Sequence, residues 1–272
     1  MCRLSLPAGL VLAALTLAAV RPVAAITTIA QDSADDAVYS SGTFDGLNGG
    51  TGFNAFSVVN NASTTNGSFI ATGSPIGSGA SNKAFNLYNY APQGVNTIDA
   101  TRSFTTPLTT GSTFSADFKN LGIANGGFVG YTLRNTAGST LFQFGFIGGT
   151  NNYFFGDGTT STDTGLFYTS GGLHTSVTLT APTTYSFSVQ RLSDVSPTVF
   201  TGTLGSSGAI DRVVFSDNFG GQDSDVQFNN LSITNSVSAA PEPSQLAGLA
   251  FTGLGAFGLV MKARKRRSAV QA

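Results

Sequence analysis

Apolar and polar residues alternate with a period of two in four separate runs through the middle of the chain. Phe114, Ala116 and Phe118 alternate with Ser115 and Asp117. Val129, Tyr131 and Leu133 alternate with Gly130, Thr132 and Arg134. Phe142, Phe144 and Phe146 alternate with Gln143 and Gly145, and Tyr185, Phe187 and Val189 with Ser186, Ser188 and Gln190. Successive side chains of a strand point to opposite faces, so each run predicts a strand with one face in a core and one toward water. The breaks between runs are Asn125-Gly126-Gly127, Gly148-Gly149-Thr150-Asn151-Asn152, Gly156-Asp157-Gly158 and Gly171-Gly172. Gly and Asn tolerate positive φ and build hairpin turns. No amphipathic helical pattern occurs between Ile26 and Ser238. The pattern predicts an all-β fold, a single sandwich of short strands.

The closing strand carries one irregularity. Val226 and Phe228 share one parity, and Leu231 and Ile233 share the other. The slip falls at Asn229-Asn230, where a β-bulge would return all four apolar side chains to the core.

Both chain ends break this pattern. Arg3 precedes an apolar stretch from Leu4 to Val20, then Arg21-Pro22 and the small residues Val23-Ala24-Ala25. These are the parts of a secretory signal peptide spanning 1–25, cut after Ala25. At the other end, Pro241-Glu242-Pro243 leads into an uncharged apolar run over 246–261. That run stops at a basic block over 262–267, which contains Lys262, Arg264, Lys265, Arg266 and Arg267. As a helix rising about 1.5 Å per residue it makes a short transmembrane span, with the cations retained in the cytoplasm. The expected organisation is therefore a signal peptide (1–25), a β-sandwich domain (26–238) and a targeting tail (239–272).

The tail resembles the PEP-CTERM sorting signal of bacterial exported proteins. The resemblance rests on the Pro-Glu-Pro, the short Gly-rich apolar span and the terminal Arg/Lys cluster, in that order. It implies processing near Pro241-Glu242-Pro243 by an exosortase, a membrane cysteine protease-transpeptidase, after a membrane-anchored stage. It also implies a setting of exopolysaccharide and biofilm matrix at the cell surface. Two stretches of the body, 44–53 (Phe-Asp-Gly-Leu-Asn-Gly-Gly-Thr-Gly-Phe) and 225–233 (Asp-Val-Gln-Phe-Asn-Asn-Leu-Ser-Ile), resemble the opening and close of jelly-roll domains of the concanavalin/laminin-G type. In that fold the first and last strands pair. This chain has Phe where those relatives often carry Trp.

Composition removes several functions. Cys2 is the only cysteine and departs with the signal, so thiol catalysis, thiolate metal sites and disulfides are not expected. The whole chain has a formal net charge of −1, but between Ile26 and Ala240 six bases face thirteen aspartates, which leaves about −7. An acidic domain with scattered bases is a poor partner for nucleic acid. The sole glutamate is Glu242, so the paired glutamates of sandwich glycosidases are missing, and no aspartate pair is preset on one strand face. His174 is the only histidine, and a catalytic triad would need it beside two partners.

Two ligand classes remain. The stretch 217–225 packs Asp217, Asp223 and Asp225 into a Gly-containing loop with several amide oxygens, and Asn229 adds one from the bulge. Hard cations take such oxygens, so calcium is the metal candidate, set against a solvated turn. For sugars, Tyr88-Asn89-Tyr90 and Asn151-Asn152-Tyr153-Phe154-Phe155 pair aromatic rings with amides, set against ordinary strand core. The expected function is that of an exported, non-enzymatic cell-surface or matrix protein. The alternative is a lectin-like, calcium-dependent carbohydrate-binding module, and a polysaccharide-active enzyme is disfavoured.

Overall fold

A computed structural model describes residues 25–61, 66–90, 97–218 and 222–237, the side chains of 222–225 and 237 apart. Most of the signal segment and the whole tail, with its Pro-Glu-Pro, apolar run and basic stop, lie outside the described residues. No helix among the described residues is long and apolar enough to cross a membrane.

The chain folds into two antiparallel sheets. In the first the order is β13 (Thr198–Thr203), β12 (Thr184–Arg191), β11 (Leu173–Ala181), β6 (Ser112–Asn120), β15 (Gln222–Val237), β4 (Ala84–Asn89) and β3 (Asn66–Ala71). β1 (Ala25–Asp32) also pairs with β15 in this sheet. In the second sheet the order is β10 (Ser161–Phe167), β9 (Asn152–Gly156), β8 (Thr140–Ile147), β7 (Phe128–Arg134), β14 (Arg212–Asn218), β5 (Thr97–Phe104) and β2 (Phe53–Asn61). The helical content described is one short 3-10 turn, Ala37–Tyr39.

The four alternating runs are β6, β7, β8 and β12, and their apolar members form the shared interior. Phe114, Ala116, Phe118, Val129, Tyr131, Leu133, Phe142, Phe144 and Phe187 have no solvent exposure. The two sheets meet through stacked and edge-on rings; Phe215 of β14 lies on Phe228 of β15 with centroids 3.8 Å apart and planes 4° apart. Rings of this size each remove a large apolar area from water, which stabilises a domain that has no disulfide.

The bulge forms where the parity slips. The β15–β6 register shifts between Asn229, opposite Asp117, and Ser232, opposite Ser115. Asn230 takes a left-handed φ of 50°. Val226, Phe228, Leu231 and Ile233 are all buried as a result.

Two local details differ from expectation. The stretch 44–52 does not open the domain but is a loop ahead of β2; the first strand, β1, lies upstream of it and pairs with the last, β15, as the jelly-roll resemblance implies. That loop plugs Phe44 into the core and lies against β1, so close at Gly50 (φ 65°) that a Cβ would sit 1.9 Å from the Gln31 carbonyl oxygen. Asp223 and Asp225, expected in a turn, belong to the first residues of β15.

The strand directions give the sandwich two distinct ends. β4, β6, β8, β10 and β14 all run toward one of them. This loop end joins the sheets through Asn89 Nδ2 on the Asp217 carbonyl (3.4 Å) and Tyr153 Oη on Asn120 Oδ1 (2.8 Å). β15 leaves at the opposite end, where Ser236 N donates to the Gly111 carbonyl.

Candidate functional site

Among the described residues the three most exposed aromatic rings are Tyr90, Phe167 and Tyr168, at 46%, 62% and 40%. All three sit at the loop end. Tyr90 follows β4, Phe167 ends β10, and Tyr168 follows it. A sandwich with so many interior Phe positions has no packing reason to leave three rings in water at one end. Such rings present flat apolar faces beside polar loops.

Two of the rings are held from beneath, and the third by its backbone. Tyr90 packs on Tyr88 (centroids 5.3 Å), and Tyr88 on Phe69 (6.0 Å). The Tyr88 ring crosses Gly67 of the neighbouring strand, where a Cβ would lie 2.4 Å from its hydroxyl. Tyr168 packs on Phe146 (5.5 Å), and its amide donates to the Asn151 carbonyl. The Phe167 carbonyl accepts from Arg191 Nη2 at 3.2 Å. The loops between are amide- and glycine-rich: the turn at Gly126 and the turn at Gly148-Gly149 are tied by Gly126 N to the Gly148 carbonyl and Gly148 N to the Gly127 carbonyl. Asn152 Nδ2 donates to Asp163 Oδ2 at 2.9 Å.

The sugar candidates divide between this rim and the core. Tyr88 and Tyr90 belong to the rim, while Asn89 points inward. Asn152 and Phe154 lie on the outer side of β9; Tyr153 and Phe155 are core rings, as strand alternation requires. Phe167 and Tyr168 were missed. Their signal is the apolar run Leu166-Phe167-Tyr168 directly after the exposed positions of an edge strand.

Two of the calcium candidates, Asp217 and Asn229, are not brought together. Asp217 is the penultimate residue of β14, with its side chain buried in the interior. Asn229 points to the outer face of the other sheet, so that sheet separates the two. The Asn229 amide is also committed: Oδ1 accepts from Ala34 N (2.9 Å), and Nδ2 donates to the Ile76 carbonyl, Ser78 Oγ and the Lys83 carbonyl. The side chains of Asp223 and Asp225 lie outside the described residues. No group of three His, Cys, Asp or Glu side chains suited to a metal occurs among the described residues.

His174 stands on β11 opposite Asp117 of β6, with Nδ1 2.7 Å from Asp117 Oδ1. Asn230 Nδ2 holds the other carboxylate oxygen at 2.7 Å. The hydrogen bond to Asp117 raises the imidazole pKa, against the opposing effect of burial. The carboxylate therefore links β11 to the β15 bulge, a role that needs no substrate.

No protein-family model matches the chain, and no curated protein matches it. Solved structures do resemble it in fold. A protein of unknown function from Shewanella oneidensis MR-1 superposes with a TM-score of 0.50 at 12% identity, over 79% of this chain and 89% of that one. A carbohydrate esterase from a Shiga toxin-encoding bacteriophage gives 0.47 at 14%, over 78% and 100%. Domain 4 of an extracellular arabinanase from Geobacillus stearothermophilus, solved with arabinotriose, gives 0.43 at 14%, over 83% and 98%. The first of these shows a shared two-sheet sandwich fold.

Proposed function

We propose that this chain is an exported, non-enzymatic protein whose sandwich domain binds carbohydrate at its loop end. The observation that carries the reading is that Tyr90, Phe167 and Tyr168, the three most exposed Phe and Tyr rings described, all stand among amide-rich loops at the same end of the sandwich. Sugar rings present C–H faces that stack on aromatics and hydroxyls that pair with amides, so this surface has the right chemistry. The domain's negative charge favours a neutral glycan over an acidic one.

Export and surface attachment rest on the signal segment and the PEP-CTERM-like tail, with exosortase as the processing partner and an exopolysaccharide matrix as the setting. The non-enzymatic part of the reading is supported by the absence of any glutamate in 26–240 and by the bracing role of the His174–Asp117 pair.

The test is co-sedimentation of the full chain with insoluble cellulose, xylan, chitin and β-1,3-glucan, with the supernatant analysed for released sugars. Retention on at least one polymer without sugar release is expected. Release of oligosaccharides would replace the reading with a hydrolase, and failure to sediment with any polymer would remove its carbohydrate part.

A further inference from the structure

A second cleft lies on the flank of the sandwich, apart from the rim. Here β13, the last strand of one sheet, faces the β9–β10 hairpin that ends the other. The cleft has a volume of about 350 Å³, within the range of small-molecule sites. Its floor is aromatic: Phe155 and Phe200 have centroids 4.7 Å apart, and Tyr185 joins them. Tyr185 belongs to the inward face of β12, yet its ring reaches over Gly202 of the edge strand. A Cβ at Gly202 would lie 2.5 Å from the Tyr185 hydroxyl oxygen, so only glycine there lets the hydroxyl come to the cleft.

The wall opposite is polar and fixed in advance. Asp157 Oδ1 accepts from Thr159 N (2.8 Å), Thr159 Oγ1 (2.8 Å) and Thr160 N (2.7 Å). These donors hold the carboxyl well below the usual range, so it is ionised at any physiological pH. Oδ2 takes none of these bonds. Thr162 and Thr201 add hydroxyls to the lining. A carboxylate oriented by its own turn costs little further ordering when a ligand arrives.

We infer that this flank cleft binds a single neutral pyranose unit, with its C–H face on Phe200, which the buried Phe155 backs, and a pair of its hydroxyls donating to the Asp157 carboxylate. A fixed negative charge in an acidic domain repels uronic and sialic acids, which sets the class as neutral. The Tyr185 hydroxyl and the threonine hydroxyls supply donors to the remaining sugar oxygens.

The experiment is ¹⁹F NMR of the full chain labelled with 3-fluorotyrosine, titrated separately with glucose, galactose and mannose. The Tyr185 resonance is assigned by Tyr185→Phe. It should shift saturably with at least one sugar, and Asp157→Asn, which keeps the turn's acceptor, should weaken that binding about tenfold. If Asp157→Asn does not fold, Thr201→Val on the exposed edge strand serves and should weaken binding severalfold. A Tyr185 resonance unmoved by all three sugars overturns the inference, and so does binding of equal strength in the folded variant. A variant with Tyr90, Phe167 and Tyr168 all changed to Ala should keep the Tyr185 response, so the flank and the rim stand or fall separately.

Discussion

Arg102 Nη2 lies 2.6 Å from Asp32 Oδ2, and neither side chain has any exposure to solvent. Arg102 occupies an inward position of β5, between Ala100 and Phe104, with its guanidinium 4.4 Å from the centre of the Phe56 ring. Its Nη2 also donates to the Gly49 carbonyl at 2.9 Å, and the Tyr39 hydroxyl bonds both Asp32 oxygens and accepts from Gly49 N. The pair thus fastens the end of β1 and the loop before β2 to the second sheet. Removing one member leaves a charge buried in an apolar interior, which costs about 3–5 kcal/mol. Arg102→Ala should lose that amount in urea unfolding, and the double variant Asp32→Leu/Arg102→Met should recover most of it. A double variant as unstable as Arg102→Ala would mean that the network is worth more than its charges.

Two titrations give the domain a pH dependence of one sign. Burial pushes the Asp32 carboxyl up to about 7, against the pull of Arg102 and Tyr39. The folded state then holds that proton more tightly than the unfolded chain, and stability falls as pH rises from about 4 toward 7. His174 is raised by its bond to Asp117, so its contribution is full below the unfolded value near 6.5 and is lost as pH climbs through the folded one. The thermal midpoint should therefore decline from mildly acidic to mildly alkaline buffer. His174→Gln should flatten the part of the decline that begins near the unfolded value of about 6.5. A midpoint that rises across this range contradicts both assignments.

Asn229 is the peg on which two loops hang. Its amide makes four hydrogen bonds, to Ala34, Ile76, Ser78 and Lys83, beside the left-handed Asn230. Asn229→Ala leaves several buried polar groups without partners and should cost about 2–3 kcal/mol. At the next residue, Asn230→Gly should cost less than Asn230→Val, because a β-branched side chain is strained at φ 50°. Equal costs for the two would mean that the bulge does not depend on that conformation.

The tail predicts a chemical outcome. Intact mass of the mature protein from its native host should lack residues 1–25 and everything after about Pro243. A product ending at Ala272 in the membrane fraction would exclude the sorting reading and leave a plain anchor.

The long aromatic alternations of β6, β7, β8 and β12 were legible because period two is a local property of the chain. The bulge in β15 was legible for the same reason, since four apolar residues in two parities have one economical solution. Sheet order was not, because pairings such as β6 with β15 are decided by contacts far apart in sequence. Arg102 read as one of six scattered bases, yet its parity with Ile98, Ala100 and Phe104 marks it as an inward residue. Asn229 read as a metal oxygen because its composition suits one; only the fold assigns its amide to four partners. At the loop end Tyr90 was legible through its tyrosine-asparagine neighbourhood, whereas Phe167 and Tyr168 reach the same end only through the pairing of β10 with β9.

The central claim is that the loop-end rings form a carbohydrate-binding rim. Its most direct test is a glycan array probed with the full chain and with the variant carrying Tyr90→Ala, Phe167→Ala and Tyr168→Ala. The rings are exposed, so the variant should keep its thermal midpoint while signal on the bound glycans falls at least tenfold. A folded variant that binds the same glycans with undiminished strength, or a wild-type chain that binds none, would contradict the account.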